Sequence, residues 1–180
     1  MSYCAVVRDA KTDPCHLVYH DTEYGFPVRD DNTLFERLIL EINQAGLSWT
    51  TILKKREGFR AAYAGFDIAS VAKFGEKDRA RLLADASIIR NRLKVDAAIA
   101  NANTALSLIA EHGTLAQWLD KQHPQTPEAW AKLFRKTFVF TGGEIVREFL
   151  LSTGYLPGAH DKTCAVHNRI LKLSPPWAKP

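Results

Sequence analysis

One glutamate stands where the sequence predicts the hydrophobic face of a helix. Apolar side chains follow helical spacing over residues 31–46, and Leu34, Leu38 and Glu41 fall on one face because three or four residues separate them. Burying an unpaired carboxylate costs several kcal/mol. Glu41 therefore needs either a permanent partner, such as an arginine or a helix N-terminus, or a polar or cationic ligand. The residues alone leave both interpretations open.

A turn and a large aromatic residue follow this helix directly. Residues 44–49 read Gln-Ala-Gly-Leu-Ser-Trp, which places Trp49 close to Glu41 along the chain. An indole ring can stack on a flat cationic ring while a carboxylate neutralises its charge. The pair suits such a ligand, although a tryptophan is equally compatible with the core. Residues 19–25 form a second polar and aromatic segment, which we expect to be a functional loop at the N-terminus.

The cysteine count argues against a disulfide framework. The three cysteines, Cys4, Cys15 and Cys164, are an odd and sparse set, which is typical of reduced thiols in a cytosolic protein. Reduced thiols raise the question of a bound metal, for which Cys15 and His16 are one candidate pair. The chain starts without a basic and apolar leader and has no apolar run of about 18 residues. We therefore expect a cytoplasmic protein that does not span a membrane.

Length and composition predict one compact domain or two small lobes that share a core. A chain of 180 residues with 46% hydrophobic and 24% charged residues can bury a sizeable core. The net charge of +4 and the pI of about 9.0 allow an anionic partner such as nucleic acid without establishing one.

The pattern of apolar residues, caps and glycines predicts an all-α fold of short helices joined by tight turns. Residues 1–30 are expected to be irregular, and residues 138–143 form a short β-prone run that ends in two glycines. Helices are predicted over 31–46, 49–63, 67–74, 76–84, 90–112, 114–121, 127–135 and 144–153.

Taken together, several of these segments resemble the DNA-3-methyladenine glycosylase I family of the helix-hairpin-helix glycosylase superfamily. The resemblance rests on Cys4, Tyr19-His20-Asp21 with Glu23 and Gly25, Glu41 with the Gln-Ala-Gly-Leu-Ser-Trp string, Leu-Lys-Lys-Arg at 53–56, and His160 with Cys164. It runs from residue 4 to about residue 164. It implies a single glycosylase domain over residues 1–180, with a helical core at about 31–154, and a monomer.

The resemblance implies an enzyme of base-excision repair. Such an enzyme hydrolyses the N-glycosidic bond of 3-methyladenine in alkylated double-stranded DNA after flipping the damaged nucleotide into a pocket. Glu41 is then the catalytic carboxylate, which contacts the methylated base, and Tyr19, Tyr24 and Trp49 are the base-binding aromatics. Methylation makes the base cationic and weakens its glycosidic bond, in keeping with a family that lacks the superfamily's usual catalytic aspartate.

The chain departs from the family pattern at a few positions, which leaves the range of lesions open. Val6 and Tyr24 stand where the family usually has tryptophan, and Ile42-Asn43 replaces smaller or glutamine-like residues beside Glu41. The alternatives are a glycosylase of the same fold for a different or bulkier alkylated purine, and a non-catalytic protein that binds alkylation damage.

By the same resemblance, Cys4, His20, His160 and Cys164 are the ligands of a structural zinc ion. Two thiolates and two imidazoles suit a closed tetrahedral site with no open position for water. Because the ligands come from both ends of the chain, zinc would join residues 1–25 to residues 155–170.

By the same resemblance, residues 138–143 and the helix after them correspond to the hairpin of the superfamily, and the DNA backbone is expected to lie against it. Thr141, Gly142 and Gly143 precede a helix, whose free N–H groups and dipole favour an anion, and glycine lets a phosphate approach the backbone closely. Glu144 would repel that phosphate unless it points away. The basic runs at 54–56 and 90–94 are by default solvated helix faces, which could add salt-sensitive affinity.

Overall fold

The computed structural model describes residues 2–179, and this part of the chain contains helices and no strand, as predicted. None of these helices combines the length and the apolar character that crossing a bilayer requires. Two short 3-10 turns lie at Ala64–Phe66 and Pro176–Ala178. The helices are α1 (Tyr3–Val7), α2 (Cys15–Thr22), α3 (Asp31–Gln44), α4 (Trp49–Ala62), α5 (Ile68–Val71), α6 (Glu76–Ala84), α7 (Arg92–His112), α8 (Leu115–Gln122), α9 (Pro127–Thr137), α10 (Gly143–Ser152) and α11 (Ala165–Leu171).

Helix α3 lies at the centre of the molecule. Asp30 caps it by accepting a hydrogen bond from the Thr33 amide, and every residue from 34 to 43 is buried. The helix packs against α4, α7, α8 and α10. A helix buried on all sides is usually apolar all round, so the charged residues that α3 carries need partners or a purpose inside the fold.

Two of these charged residues belong to an internal ion-pair network. Arg56 of α4 donates two hydrogen bonds to Glu23 at 2.6 and 2.7 Å and one to Glu36 at 2.6 Å. Arg37 pairs with the same Glu23 carboxylate. The network joins α3 and α4 to the end of α2. Arg56 is buried, so the expectation that the run at 54–56 is a solvated face is wrong for this residue.

Lys94 departs from the same expectation for the second basic run. It is buried in α7 and donates hydrogen bonds from Nζ to the carbonyls of Asn43 and Ala45, at 2.8 and 2.7 Å. These are carbonyls that the end of α3 leaves without helical partners, and a cation is favoured there. Burial lowers the pKa of Lys94. The ammonium thus fixes the turn between α3 and α4.

The expectation that residues 1–30 are irregular is wrong, because α1 and α2 lie there. Neither helix shows the apolar periodicity that identifies a helix from sequence, and α2 forms against α1 and α4. Tyr19 and His20 therefore project from a helix and not from a loop. Helix α11 likewise lies in the tail, where no helix was predicted.

The β-prone run at 138–143 is a turn between α9 and α10. Asn101, which is fully buried in α7, accepts a hydrogen bond from the Val139 amide and donates one to the Val139 carbonyl. Extended residues need a neighbouring strand to satisfy their backbone groups, and within residues 2–179 there is none. The side chain of Asn101 instead forms the hydrogen bonds that a neighbouring strand would form with Val139.

Candidate functional site

A cavity of about 370 Å³ opens beside α3, at its junction with α2, α4 and α10. This volume lies within the range of small-molecule sites, roughly 300–1,000 Å³. Aromatic rings, two carboxylates and one arginine share its wall. The lining residues are Ser2, Tyr3, Tyr19, Tyr24, Glu41, Gln44, Trp49, Arg147, Glu148, Leu151, Gly158 and Ala159.

Glu41 is buried and has no partner within residues 2–179. Its exposed fraction is 4%, and it forms neither a hydrogen bond nor an ion pair, although Arg37 lies close enough to affect its charge. Burial and, to a smaller extent, the negative charge of Glu148 raise the pKa of Glu41 to about 8, against the opposing effect of Arg37. No hydrogen bond or ion pair within residues 2–179 therefore supplies the permanent partner that the sequence left open as one interpretation.

The three aromatic residues predicted for the pocket meet at this cavity. Tyr19 comes from α2, Tyr24 from the turn after it, and Trp49 from the first turn of α4. The Tyr19 ring centroid lies 5.2 Å from that of Trp49 and 5.7 Å from that of Tyr24. The Tyr19 hydroxyl and the Trp49 indole N–H are both buried without a hydrogen-bond partner in the described chain. Buried polar atoms are almost always paired, and these two lie in the wall of the cavity, where a polar ligand would pair them.

Sequence reasoning missed a second carboxylate of this cavity. Glu148 projects from α10, and its carboxylate accepts a hydrogen bond from the Tyr24 hydroxyl at 3.1 Å and one from Arg147 at 2.8 Å. Burial together with the charge of Glu148 raises the pKa of Tyr24. Glu148 is more than a hundred residues from Glu41 along the chain, and no local spacing signals that they share a wall.

Two cysteines and two histidines converge at a second position, next to the pocket. Cys4, His20, His160 and Cys164 are all buried, and one ligand atom of each lies within 4.8 Å of the other three. His20 Nε2 is 3.2 Å from Cys4 Sγ and 3.1 Å from His160 Nδ1. Cys164 Sγ lies 4.0 Å from each of the two imidazole nitrogens. The competing pair Cys15 and His16 is not part of this group.

The second nitrogen of each histidine has its own partner. His20 Nδ1 lies 2.7 Å from Asp21 Oδ1, and His160 Nε2 lies 2.7 Å from the Tyr24 carbonyl oxygen. Metal-bound histidines usually donate their other N–H in this way, which fixes the ring and the tautomer. The cluster could therefore hold a metal ion that joins the N-terminal helices to the segment before α11.

The predicted phosphate site is the turn that leads into α10. Gly142 precedes the helix without a side-chain cap, and the first N–H groups of α10 have no helical partner. A Cβ added at Gly142 or Gly143 would meet no atom within 4 Å, so packing does not require either glycine. Thr141 is buried and its hydroxyl donates to the Phe138 carbonyl. Glu144 is exposed and lies 3.8 Å from Arg147.

Comparisons with known proteins identify relatives of this chain. The model of the family described as methyladenine glycosylase matches residues 9–132, which include Glu41 and the three predicted aromatics. DNA-3-methyladenine glycosylase 1 of Escherichia coli K12 is 50% identical over 96 residues, which cover 53% of this chain and 51% of that protein. DNA-3-methyladenine glycosylase of Haemophilus influenzae is 42% identical over 93 residues, covering 52% and 50%. The matched part thus spans about half the length of these curated relatives.

Solved structures match over a longer part of the chain. A crystal structure of 3-methyladenine DNA glycosylase I superposes with a TM-score of 0.78 at 34% identity, covering 88% of this chain and 97% of that one. A tyrosine-to-phenylalanine variant of such an enzyme, in complex with 3-methyladenine, gives a TM-score of 0.80 at 30% identity, covering 92% and 97%. On the match of the family model and of these structures, the chain belongs to the methyladenine glycosylase family.

Proposed function

We propose that this protein is a DNA-3-methyladenine glycosylase that acts in base-excision repair. The observation that carries the proposal is Glu41, a buried carboxylate without a partner in the described chain, facing a cavity with aromatic walls. In DNA, a purine methylated at N3 is both flat and cationic, which is the ligand that this wall suits. A similar enzyme has been crystallised with 3-methyladenine.

The proposed reaction begins when the damaged nucleotide leaves the duplex and its base enters the cavity. Glu41 contacts the base, whose positive charge favours the ionised carboxylate, while Tyr19, Tyr24 and Trp49 contact its ring and edges. The bond between the sugar C1′ and N9 then breaks, and its electron pair leaves with the base as neutral 3-methyladenine. Positive charge passes to the sugar, water adds to C1′ and loses a proton, and an abasic site remains.

The turn at 141–143 is proposed to hold a DNA phosphate on the backbone N–H groups at the start of α10. The exposed Arg90 and Arg92 lie outside the internal ion-pair network and can add affinity that does not depend on sequence. A monomer of one domain, acting where bacterial chromosomal DNA lies in the cytoplasm, is part of the same proposal.

Zinc is proposed as the metal of the Cys4, His20, His160 and Cys164 cluster. Zn–N distances of about 2.0–2.1 Å and Zn–S distances of about 2.3 Å place tetrahedral ligand atoms roughly 3.3–3.8 Å apart. At the cluster, the separations that involve a histidine nitrogen are 3.1–4.0 Å, and all four ligand atoms lie within 4.8 Å of one another, which is close to that geometry. With four protein ligands the ion is structural, since no position is open for water or substrate.

The test is mass spectrometry of the bases released from methylated duplex DNA. We expect 3-methyladenine to be released in proportion to time and enzyme. Release of a different alkylated purine with 3-methyladenine left in the DNA would favour the bulkier-lesion alternative. Binding to alkylated or abasic duplex without release at any protein concentration would favour a damage-binding protein.

A further inference from the structure

The two carboxylates of the pocket differ in depth. Glu41 is 4% exposed, whereas 32% of the Glu148 side chain is exposed. A flipped base enters the cavity first, and its deoxyribose stays nearer the mouth because it remains bonded to the DNA backbone. The deeper carboxylate is therefore placed for the base, and the outer carboxylate is placed for the sugar.

Glu148 is held in place from two sides. The hydroxyl of Tyr24, a residue 8% exposed, donates to one carboxylate oxygen. Arg147 donates to the other oxygen from a side chain that is 52% exposed, so water screens this ion pair. Glu144 lies 3.8 Å from the same guanidinium, so two carboxylates face one arginine and the local charge is negative. Helix α10 packs against α3 and α9, which fixes the backbone that carries Glu148.

Independent observations indicate that this cavity takes a polar ligand. The Tyr19 side chain is 3% exposed, and its hydroxyl lacks a hydrogen-bond partner in residues 2–179. Glu41, also more than nine-tenths buried, has no hydrogen bond within the same residues. Both residues line the cavity together with Glu148. The two acidic groups thus belong to a pocket whose inner wall offers unpaired polar groups to an occupant.

We propose that Glu148 is a second catalytic carboxylate, which faces the deoxyribose and stabilises the positive charge that develops on it as the base departs. This inference rests on the proposed function. As the C1′–N9 bond breaks, its electrons neutralise the base and leave the sugar positive. A negative group beside the base then stabilises the starting state more than the transition state, whereas one beside the sugar does the reverse. Glu41 recognises the lesion, and Glu148 accelerates bond cleavage.

The experiment compares E148Q with E41Q in three assays. For E148Q we expect single-turnover release of 3-methyladenine to fall about a hundred- to a thousandfold, as is common for the loss of one preorganised electrostatic group. Binding of free 3-methyladenine should stay within about threefold of wild type. Wild-type protein should prefer duplex DNA that carries a cationic pyrrolidine in place of the sugar over duplex DNA that carries a neutral tetrahydrofuran. E148Q should lose most of this preference. E41Q should instead lose affinity for the free base.

Two further variants distinguish charge from structure. E148D keeps the negative charge and should recover most of the preference for pyrrolidine DNA. E57Q is the matched control, because Glu57 also pairs with an arginine but lies on the exposed face of α4, away from the cavity. Thermal melting of each variant verifies that it is folded.

Each outcome has a defined meaning. If wild-type protein releases no base from methylated DNA, the proposed function fails. If wild type releases 3-methyladenine and E148Q does so equally fast, only the inference about Glu148 is overturned. Loss of free-base affinity in E148Q comparable to that in E41Q would place Glu148 against the base and overturn its assignment to the sugar.

Discussion

At the scale of the residue, the pocket depends on the position of one carboxyl group. Burial and the charge of Glu148 raise the pKa of Glu41 to about 8, against an ordinary value of 4.5. A group of this kind opposes folding when it ionises. The protein therefore keeps Glu41 at a cost in stability, and a cationic ligand would offset that cost by favouring the ionised form.

This cost predicts how Glu41→Gln changes stability with pH. The stability contribution of Glu41 is fully present below its unfolded pKa and is lost as pH rises through about 8, whereas glutamine does not titrate. We expect the free energy of unfolding of the variant, relative to that of wild type, to increase between pH 5 and pH 9 by an amount on the order of 2–4 kcal/mol. Urea unfolding at pH 5, 7 and 9 measures this. A difference independent of pH would contradict it, and the exposed Glu57→Gln should show no such trend.

The same protonation predicts the pH dependence of activity. A carboxylate that must be ionised to attract a cationic base is mostly protonated below about pH 8 in the free protein. We expect kcat/KM for methylated DNA to increase with pH up to about 8 and then level off. Kinetics in buffers of constant ionic strength between pH 5.5 and 9.5 test this. In E41Q this increase should be absent, and its persistence there would assign it to another group.

At the scale of the element, the turn between α9 and α10 is shaped by a side chain from a third helix. Asn101 of α7 binds both backbone groups of Val139, and Phe140 takes a positive φ of 63°, which non-glycine residues rarely adopt. Gly142 and Gly143 follow in ordinary conformations with open space around them. The glycines are therefore not explained by strain or packing within the chain, which is consistent with a site that a phosphate approaches.

Alanine at these glycines should separate binding from stability. In Gly142→Ala and Gly143→Ala the added methyl group meets no protein atom, so we expect a melting temperature equal to or above that of wild type. Affinity for duplex DNA should fall several-fold, because a methyl group hinders approach of the phosphate. Fluorescence anisotropy with a duplex carrying an abasic analogue measures this.

Gly75→Ala is the matched control for the hairpin variants. Gly75 also precedes a helix and also has open space around it, but it lies at α6. This variant should bind DNA like wild type. If it weakens binding as much as the hairpin variants do, the phosphate is not held at the start of α10.

At the scale of the whole molecule, the Cys–His cluster connects the two ends of the chain. Cys4 lies in α1, His20 in α2, and His160 and Cys164 in the segment before α11. The Tyr24 carbonyl accepts a hydrogen bond from His160, and Tyr24 in turn binds Glu148. The cluster thus helps to position one wall of the pocket.

Removal of the metal should lower stability and loosen that wall. For Cys164→Ser we expect zinc content to fall from about one ion per chain toward zero, and the melting temperature to decrease. Atomic absorption and calorimetry measure both, and strong chelation of wild-type protein should reproduce the shift. Cys15→Ser is the control, since Cys15 is outside the cluster. Unchanged zinc in Cys164→Ser would exclude Cys164 as a ligand.

The sequence by itself determined the all-α fold class, the helices from α3 to α10 to within a few residues, and Glu41 as the residue in need of an explanation. These follow from local periodicity and capping, which a one-dimensional pattern contains. Only the tertiary structure decided that α1 and α2 are helical, that Arg56 and Lys94 are buried, and that Glu148 lies in the same pocket as Glu41. Such outcomes depend on contacts between residues far apart in the chain, which local spacing does not encode.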